Sequence, residues 1–178
     1  MRGQLLVASP TLLDPNFRRA VVLVTEHGDA GAMGLVLSNP SEAPVAEAVP
    51  QLEDLVEDEA VVHVGGPVEP AAVVVLAEFD DPSESASIVF GDVGFLPADS
   101  DPSLIGAATR RARVFAGYCG WGPGQLEGEL EQDAWFIEPS EEDDVFSDEP
   151  EALWSTVLRR KGGQYAVLAL MPPDPSLN

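Results

Sequence analysis

Apolar residues along this chain fall in short runs, separated by Gly, Pro and acidic residues, and the runs follow two different periods. Gln4 to Ser9, Arg19 to Glu26, Ala32 to Ser38, Ala60 to Val64, Ala71 to Glu78 and Ser87 to Phe90 are β-branched or Leu-rich and bounded by turn residues, which predicts strands. Gly28-Asp29-Ala30-Gly31 predicts a hairpin between the second and third runs, Asn39-Pro40 closes that unit, and Gly91-Asp92 is a turn after the last. Between Pro44 and Asp58 the apolar positions Val45, Val49, Leu52 and Val56 change to helical spacing, with Pro50 breaking the segment in two. Pro102 to Arg111 predicts a helix capped by Asp101, Arg113 to Tyr118 a strand, Gln125 to Gln132 a helix and Ala134 to Ile137 a strand. Pro150 to Lys161 carries the fullest helix punctuation: proline near the start, acids early, bases late, Gly162-Gly163 beyond the end. Gln164 to Met171 fits helix or strand. An acidic stretch at about 139–149 predicts an exposed loop, and 172–178 an extended tail. Strands mixed with short helices, without regular alternation, indicate a single α+β domain over 1–178.

Composition narrows the class. The chain has 178 residues, with 9 Lys plus Arg against 31 Asp plus Glu, a formal charge of −22. Such a chain is a poor candidate for binding that rests on phosphate neutralisation, so no direct nucleic-acid contact is expected. The lone Cys119 cannot form an internal disulfide, and the apolar patch Leu5 to Ala8 is too short for a signal-peptide core. No apolar run approaches a membrane span. The expectation is a cytoplasmic protein without membrane attachment. The bases themselves are clustered, at Arg2, Arg18-Arg19, Arg110-Arg111 with Arg113, and Arg159-Arg160-Lys161. They fit either an anion site assembled from distant segments or local pairing with carboxylates and helix C-termini.

The densest chemical signal is Gly117-Tyr118-Cys119-Gly120-Trp121-Gly122-Pro123-Gly124-Gln125-Leu126-Glu127. Glycines beside Tyr and Trp mark a strand-to-helix connection where backbone passes close to a ligand or to the protein's own core. The spacing matches neither a dinucleotide fingerprint nor a P-loop. Glu26-His27 and His63 invite comparison with a metal or acid–base site from neighbouring strands, but no ligand-spaced partner accompanies them, and hydrogen-bonded structural histidines are the plainer reading. Cys119 would need a base and an electropositive pocket to act as a nucleophile. Glu127 and Glu131 share a helical face with Glu129 nearby and read as solvated carboxylates. Asp14 and Asn16 read as turn residues, and Arg18 beside that turn offers a guanidinium to an anion. No complete catalytic motif is present, and no cofactor or metal site is expected.

The run Gly117 to Leu130 (GYCGWGPGQLEGEL), with Trp135 after it, resembles the signature of the YqgE/AlgH family of small bacterial proteins. Three further blocks agree in order. They are Gly3 to Pro10 with Asp14-Pro15-Asn16-Phe17-Arg18-Arg19, Glu26-His27 with Gly31 to Leu37, and Val64-Gly65-Gly66-Pro67-Val68. The resemblance runs from Gly3 to about Pro172. Two departures stand out: Ser38-Asn39-Pro40 replaces the usual Asn-Arg-Pro, and Cys119 occupies a position where Ala or Ser is common. The resemblance implies a bent mixed sheet folded towards a pseudo-barrel with short flanking helices. It implies little about activity, although one branch carries a transcriptional-regulator label. It also suggests a functional surface joining Asp14, Asn16, Arg18, His27, Gly65, Gly66, Tyr118, Gly120, Trp121, Gln125 and Glu127. The leading expectation is a binding or regulatory protein without catalysis, its partner a protein or a small anionic ligand. The alternatives are a small enzyme binding an anionic ligand at Gly117–Glu127, and a regulator acting indirectly through a protein partner.

Overall fold

The computed structural model describes residues 1–98, 101 and 106–172. Among them, ten strands form one sheet: β1 (Gln4–Ala8), β2 (Val21–Gly28), β3 (Gly31–Val36), β4 (Pro40–Pro44), β5 (Val61–Val64), β6 (Val68–Phe79), β7 (Ser87–Phe90), β8 (Val93–Phe95), β9 (Thr109–Trp121) and β10 (Trp135–Pro139). The main path runs β10-β1-β2-β3-β9-β6-β8-β7, with β4 and β5 on a branch. All described pairings are antiparallel except β5 with β9. Among the described residues, five short α-helices accompany the sheet: α1 (Val45–Ala48), α2 (Gln125–Glu131), α3 (Glu142–Val145), α4 (Leu153–Lys161) and α5 (Gly163–Leu168).

The long apolar runs are explained by burial on both faces. In β1, Leu5 and Val7 join a core with Trp154, Val157 and Leu158 of α4, whereas Leu6 and Ala8 face a second core holding Trp121, Leu126 and Trp135. In β2, Leu23 joins the first core, and Val22 and Val24 the second. Alternation therefore sends neighbours to opposite cores, both apolar, and the strand shows no polar face. A third cluster packs Val45, Val49, Leu52 and Leu55 against Val62, Val75 and Val114.

The α+β reading holds, and the sheet is open rather than a closed barrel. Strands β10 and β7 end its path, although Arg2 donates to the Ile88 carbonyl of β7 and Gly3 packs against Val89 without joining a ladder. The outer edge of β10 is covered: Lys161 donates to the Ile137 carbonyl at 2.9 Å and Arg160 to the Pro139 carbonyl at 3.2 Å. Basic side chains on an edge strand's carbonyls block edge-to-edge pairing.

Four local expectations are corrected. Asn39-Pro40 does not close a unit, because Pro40–Pro44 forms β4 and pairs with β5. The expected Gly91-Asp92 turn is present, and it leads into a further strand, β8. Of the helix expected over 102–111, residues 102–105 lie outside the described residues, Gly106–Ala108 form a 3-10 turn, and Thr109 already begins β9. Trp121 belongs to β9 rather than to a loop. The acidic stretch contains α3, whose capping box joins Glu141 and Asp144, and Asp144 is buried. Arg160 meets Asp144 through two contacts of 2.8 Å, so the acidic run is pinned by the bases ending α4. The expected tail beyond Pro172 lies outside the described residues.

Local pairing also accounts for most of the basic clusters. Arg111 bonds the buried Glu78 at 2.6 Å and Asp143 at 2.7 Å, Arg110 bonds Asp92 at 2.6 Å, and Lys161 bonds Glu138 at 2.9 Å.

Candidate functional site

Strand β9 organises the signature residues. One edge pairs with β6 (Leu76 opposite Arg113, Val68 opposite Tyr118). The other pairs first with β5 (His63 opposite Phe115) and then with β3 (Ala32 opposite Trp121, Gly34 opposite Cys119). Gly65 and Gly66 lie where β5 gives way to β3. The Gly65 amide donates to the Ala116 carbonyl at 2.9 Å, and its own carbonyl accepts from Val36 at 2.8 Å and from the Cys119 thiol at 3.4 Å. A Cβ on Gly65 would lie 2.3 Å from the Gly117 oxygen, and one on Gly66 2.2 Å from the Tyr118 carbonyl. These glycines are needed because two backbones pass in contact, which assigns the Gly65, Gly66, Gly117 and Tyr118 group to packing.

Beyond Trp121 the chain turns through Gly122–Gly124 into α2, with Gly124 at φ 73°. The Gly122 amide is already used, donating to Gln125 Oε1 at 3.0 Å. Glu129 then gathers the segment. Its Oε2 accepts from the indole nitrogens of Trp121 at 2.9 Å and Trp135 at 2.8 Å, and its Oε1 accepts from Gln125 at 3.0 Å. Phe17 stacks on Trp121 at 6.4 Å and meets Trp135 edge-on at 5.5 Å, tying the residue 14–19 turn to the same cluster. Glu129 is therefore an internal acceptor, not a solvated carboxylate. Phe17 and Trp135 are site residues that sequence reasoning did not single out, and Glu129 is one it read as solvated. The i, i+4 spacing of Gln125 and Glu129 was the available signal, and nothing local indicated the indoles.

His27 Nε2 lies 2.7 Å from Glu127 Oε1, joining the end of β2 to α2. The hydrogen bond from His27 holds the Glu127 carboxyl below its usual range. His27 does not meet His63, which packs 5.8 Å from Phe115. Among the described residues, no three His, Cys, Asp or Glu side chains converge on a metal position. Cys119 is fully buried, and burial pushes its thiol up to about 12, far from a reactive thiolate.

The predicted surface is thus brought together only in part. His27, Gln125, Glu127, Trp121, Gly120 and, through Phe17, the 14–19 turn share one end of the molecule, but Trp121 is buried. Asn16 turns inward on its own loop, donating to Asp14 Oδ1 from its amide at 2.8 Å and its side chain at 3.0 Å. Arg18 lines a separate depression of about 340 Å3 with Asn16, Arg19, Ser38, Asn39 and Glu151, and no residue of 117–127 lines it.

A family model described as AlgH-like matches residues 5–166. This chain belongs to the AlgH-like family. Among curated relatives, a UPF0301 protein of Streptomyces coelicolor is 44% identical over 184 residues, covering 100% of this chain and 95% of the relative. One from Thermobifida fusca is 42% identical over 189 residues, covering 100% and 96%. The crystal structure of a Corynebacterium diphtheriae protein matches with a TM-score of 0.89 at 26% identity, over 95% of this chain and 91% of that one. The solution structure of AlgH from Pseudomonas aeruginosa matches with a TM-score of 0.73 at 30% identity, over 96% and 94%. The family's glycine and tryptophan signature therefore coincides with a packing node, beside which Gln125 and Glu127 are exposed and His27 is half-buried. No helix among the described residues is long and apolar enough to cross a membrane.

Proposed function

We propose that this protein works in the cytoplasm by binding, without chemistry of its own, through the end of the molecule that presents His27, Gln125 and Glu127. The observation that supports this is the state of the reactive groups nearby. Cys119 is buried with a raised thiol, Glu129 is consumed by two indoles, and Gly122 by Gln125. What reaches solvent is a rigidly backed polar surface suited to recognition by a protein partner. A regulatory effect on transcription would run through that partner, since the charge of −22 opposes duplex contact.

Site-specific photo-cross-linking tests this. A photoreactive residue at position 127 should trap a discrete partner in cells, and one at the exposed Glu84 should not. The same products from both positions, or none from either, would count against the reading. A second reading, recognition of a small anionic ligand, draws on the Arg18 depression. A thermal-shift screen against phosphate, nucleotides and carboxylates decides it, because a genuine ligand's shift must vanish in Arg18→Ala.

A further inference from the structure

The depression beside Arg18 encloses about 340 Å3, towards the small end of the usual range for small-molecule sites, which suits a ligand of amino-acid size. Its charged residues stand on anchored backbone. Arg18 sits between two fixed neighbours. Phe17 packs on Trp121 and Trp135, and Arg19 lies 4.2 Å over the Trp154 ring while donating to the Met171 carbonyl at 2.8 Å and to Ser155 Oγ at 3.2 Å. Glu151 lines the same depression from the 3-10 segment Pro150–Ala152, which runs directly into α4 and its buried Trp154. The loop joining β3 to β4 is held as well: Ser38 Oγ accepts from the Val21 amide at 3.0 Å, and the Asn39 carbonyl accepts from the Val64 amide at 2.9 Å. Ala20 and Val36, both buried, add apolar lining.

The charges in this depression are of both signs and do not close on one another. Elsewhere in the chain the bases meet carboxylates directly, Arg111 with Glu78, Arg160 with Asp144 and Lys161 with Glu138. Glu151 does not: among the described residues it makes no hydrogen bond or ion pair, although it shares the depression with Arg18 and Arg19. Burial, then the charge of Arg18, holds the Arg19 guanidinium below its usual range, so the field of Arg18 reaches Arg19. Positive and negative groups standing apart in one depression select what can enter. A plain anion is repelled by Glu151 and a plain cation by the arginines, whereas a molecule carrying both charges is matched at each end.

We propose that this depression binds a small amino acid as its zwitterion, the carboxylate accepting from the Arg18 guanidinium and the ammonium donating to Glu151. The proposal rests on the anionic-ligand reading of the same depression and narrows it to one ligand class. A guanidinium presents paired N–H donors in the geometry of a carboxylate. Arg19, committed to Trp154, Ser155 and Met171, adds positive charge beside it, and Ala20 with Val36 gives the amino acid's own side chain an apolar surface.

Isothermal titration calorimetry with L-leucine, and with γ-aminobutyrate for a wider charge separation, tests the proposal. Each is compared with its own halves: 4-methylpentanoate and 3-methylbutylamine for leucine, butyrate and propylamine for γ-aminobutyrate. Inorganic phosphate serves as the plain anion. At least one zwitterion should bind saturably at one site, with both of its halves about tenfold weaker. Arg18→Gln and Glu151→Gln, at exposed positions that leave the fold intact, should each weaken the zwitterion about tenfold. Glu151→Gln should leave the acid half bound at least as well as in the wild type, because a repelling charge is gone. Glu84→Gln, outside the depression, should change nothing. The proposal fails if neither zwitterion binds saturably, if an acid half binds as tightly as its zwitterion, if Glu151→Gln leaves the zwitterion unaffected, or if Glu84→Gln weakens it as much. Phosphate or an acid half binding alone, and lost in Arg18→Gln, would overturn this proposal and leave the anionic-ligand reading standing. No binding of any anion or zwitterion would remove both.

Discussion

Glu129 offers the sharpest mutational test of the signature node. Replacing it by Ala removes the acceptor for two indole N–H groups in side chains only 6% and 3% exposed, those of Trp121 and Trp135. Each buried donor left unpaired costs about 1–3 kcal/mol. Removing one negative charge from a chain at −22 offsets a few tenths of a kcal/mol. The expected destabilisation of Glu129→Ala is therefore about 2–5 kcal/mol. Glu129→Gln keeps one carbonyl oxygen that can accept from both indoles, so it should lose about half as much or less. Urea denaturation followed by circular dichroism gives the midpoint and slope, with indole fluorescence reporting the node directly. The exposed Glu131→Gln on the same helix controls for charge and should lie within about 0.5 kcal/mol of wild type. A Glu129→Ala loss below about 0.5 kcal/mol would show that the indoles find other partners, and equal losses for Ala and Gln would show that charge matters rather than acceptor geometry.

Three further outcomes follow from the same geometry. His63 is held near 4 in the folded state against 6.5 when unfolded, so the unfolded chain takes up its proton first. The group leaves stability unaffected above about pH 6.5 and destabilises the native state as pH falls towards about 4, on the order of 3 kcal/mol in all; chemical denaturation across that window should show a slope that His63→Leu flattens. Gly66→Ala places a Cβ 2.2 Å from the Tyr118 carbonyl and should cost about 3 kcal/mol or more, whereas Gly124→Ala, with φ 73° and open space around it, should cost only about 1 kcal/mol; comparable losses in thermal melts would refute the crossing. Cys119 should resist iodoacetamide at pH 8 in the native protein and react once unfolded, and rapid native labelling would contradict its burial.

The sequence by itself determined the strands β1, β2, β3, β5, β6 and β7, the β2–β3 hairpin at Gly28–Gly31, the helix α4 with its bases at the end, and membership of the family. These features are local. Strand periodicity, turn residues and caps act within a few residues of one another, and the signature is a contiguous string. Tertiary structure decided what depends on distant partners. Pro40–Pro44 is a strand only because β5 lies beside it, and Thr109 to Arg111 extend β9 rather than a helix because β6 supplies their ladder. The acidic run at 139–149 reads as solvated until Arg160 arrives from α4 to meet Asp144. The functional reading shifted in the same way. Glu129 turned from surface charge into the acceptor for two indoles, Gly65 and Gly66 from members of an expected functional surface into a backbone crossing, and His63 proved a buried ring packed on Phe115, apart from His27. A single strand cannot announce which backbone will cross it or which side chain will lie against it, because those contacts exist only once β9 has drawn β3, β5 and β6 together.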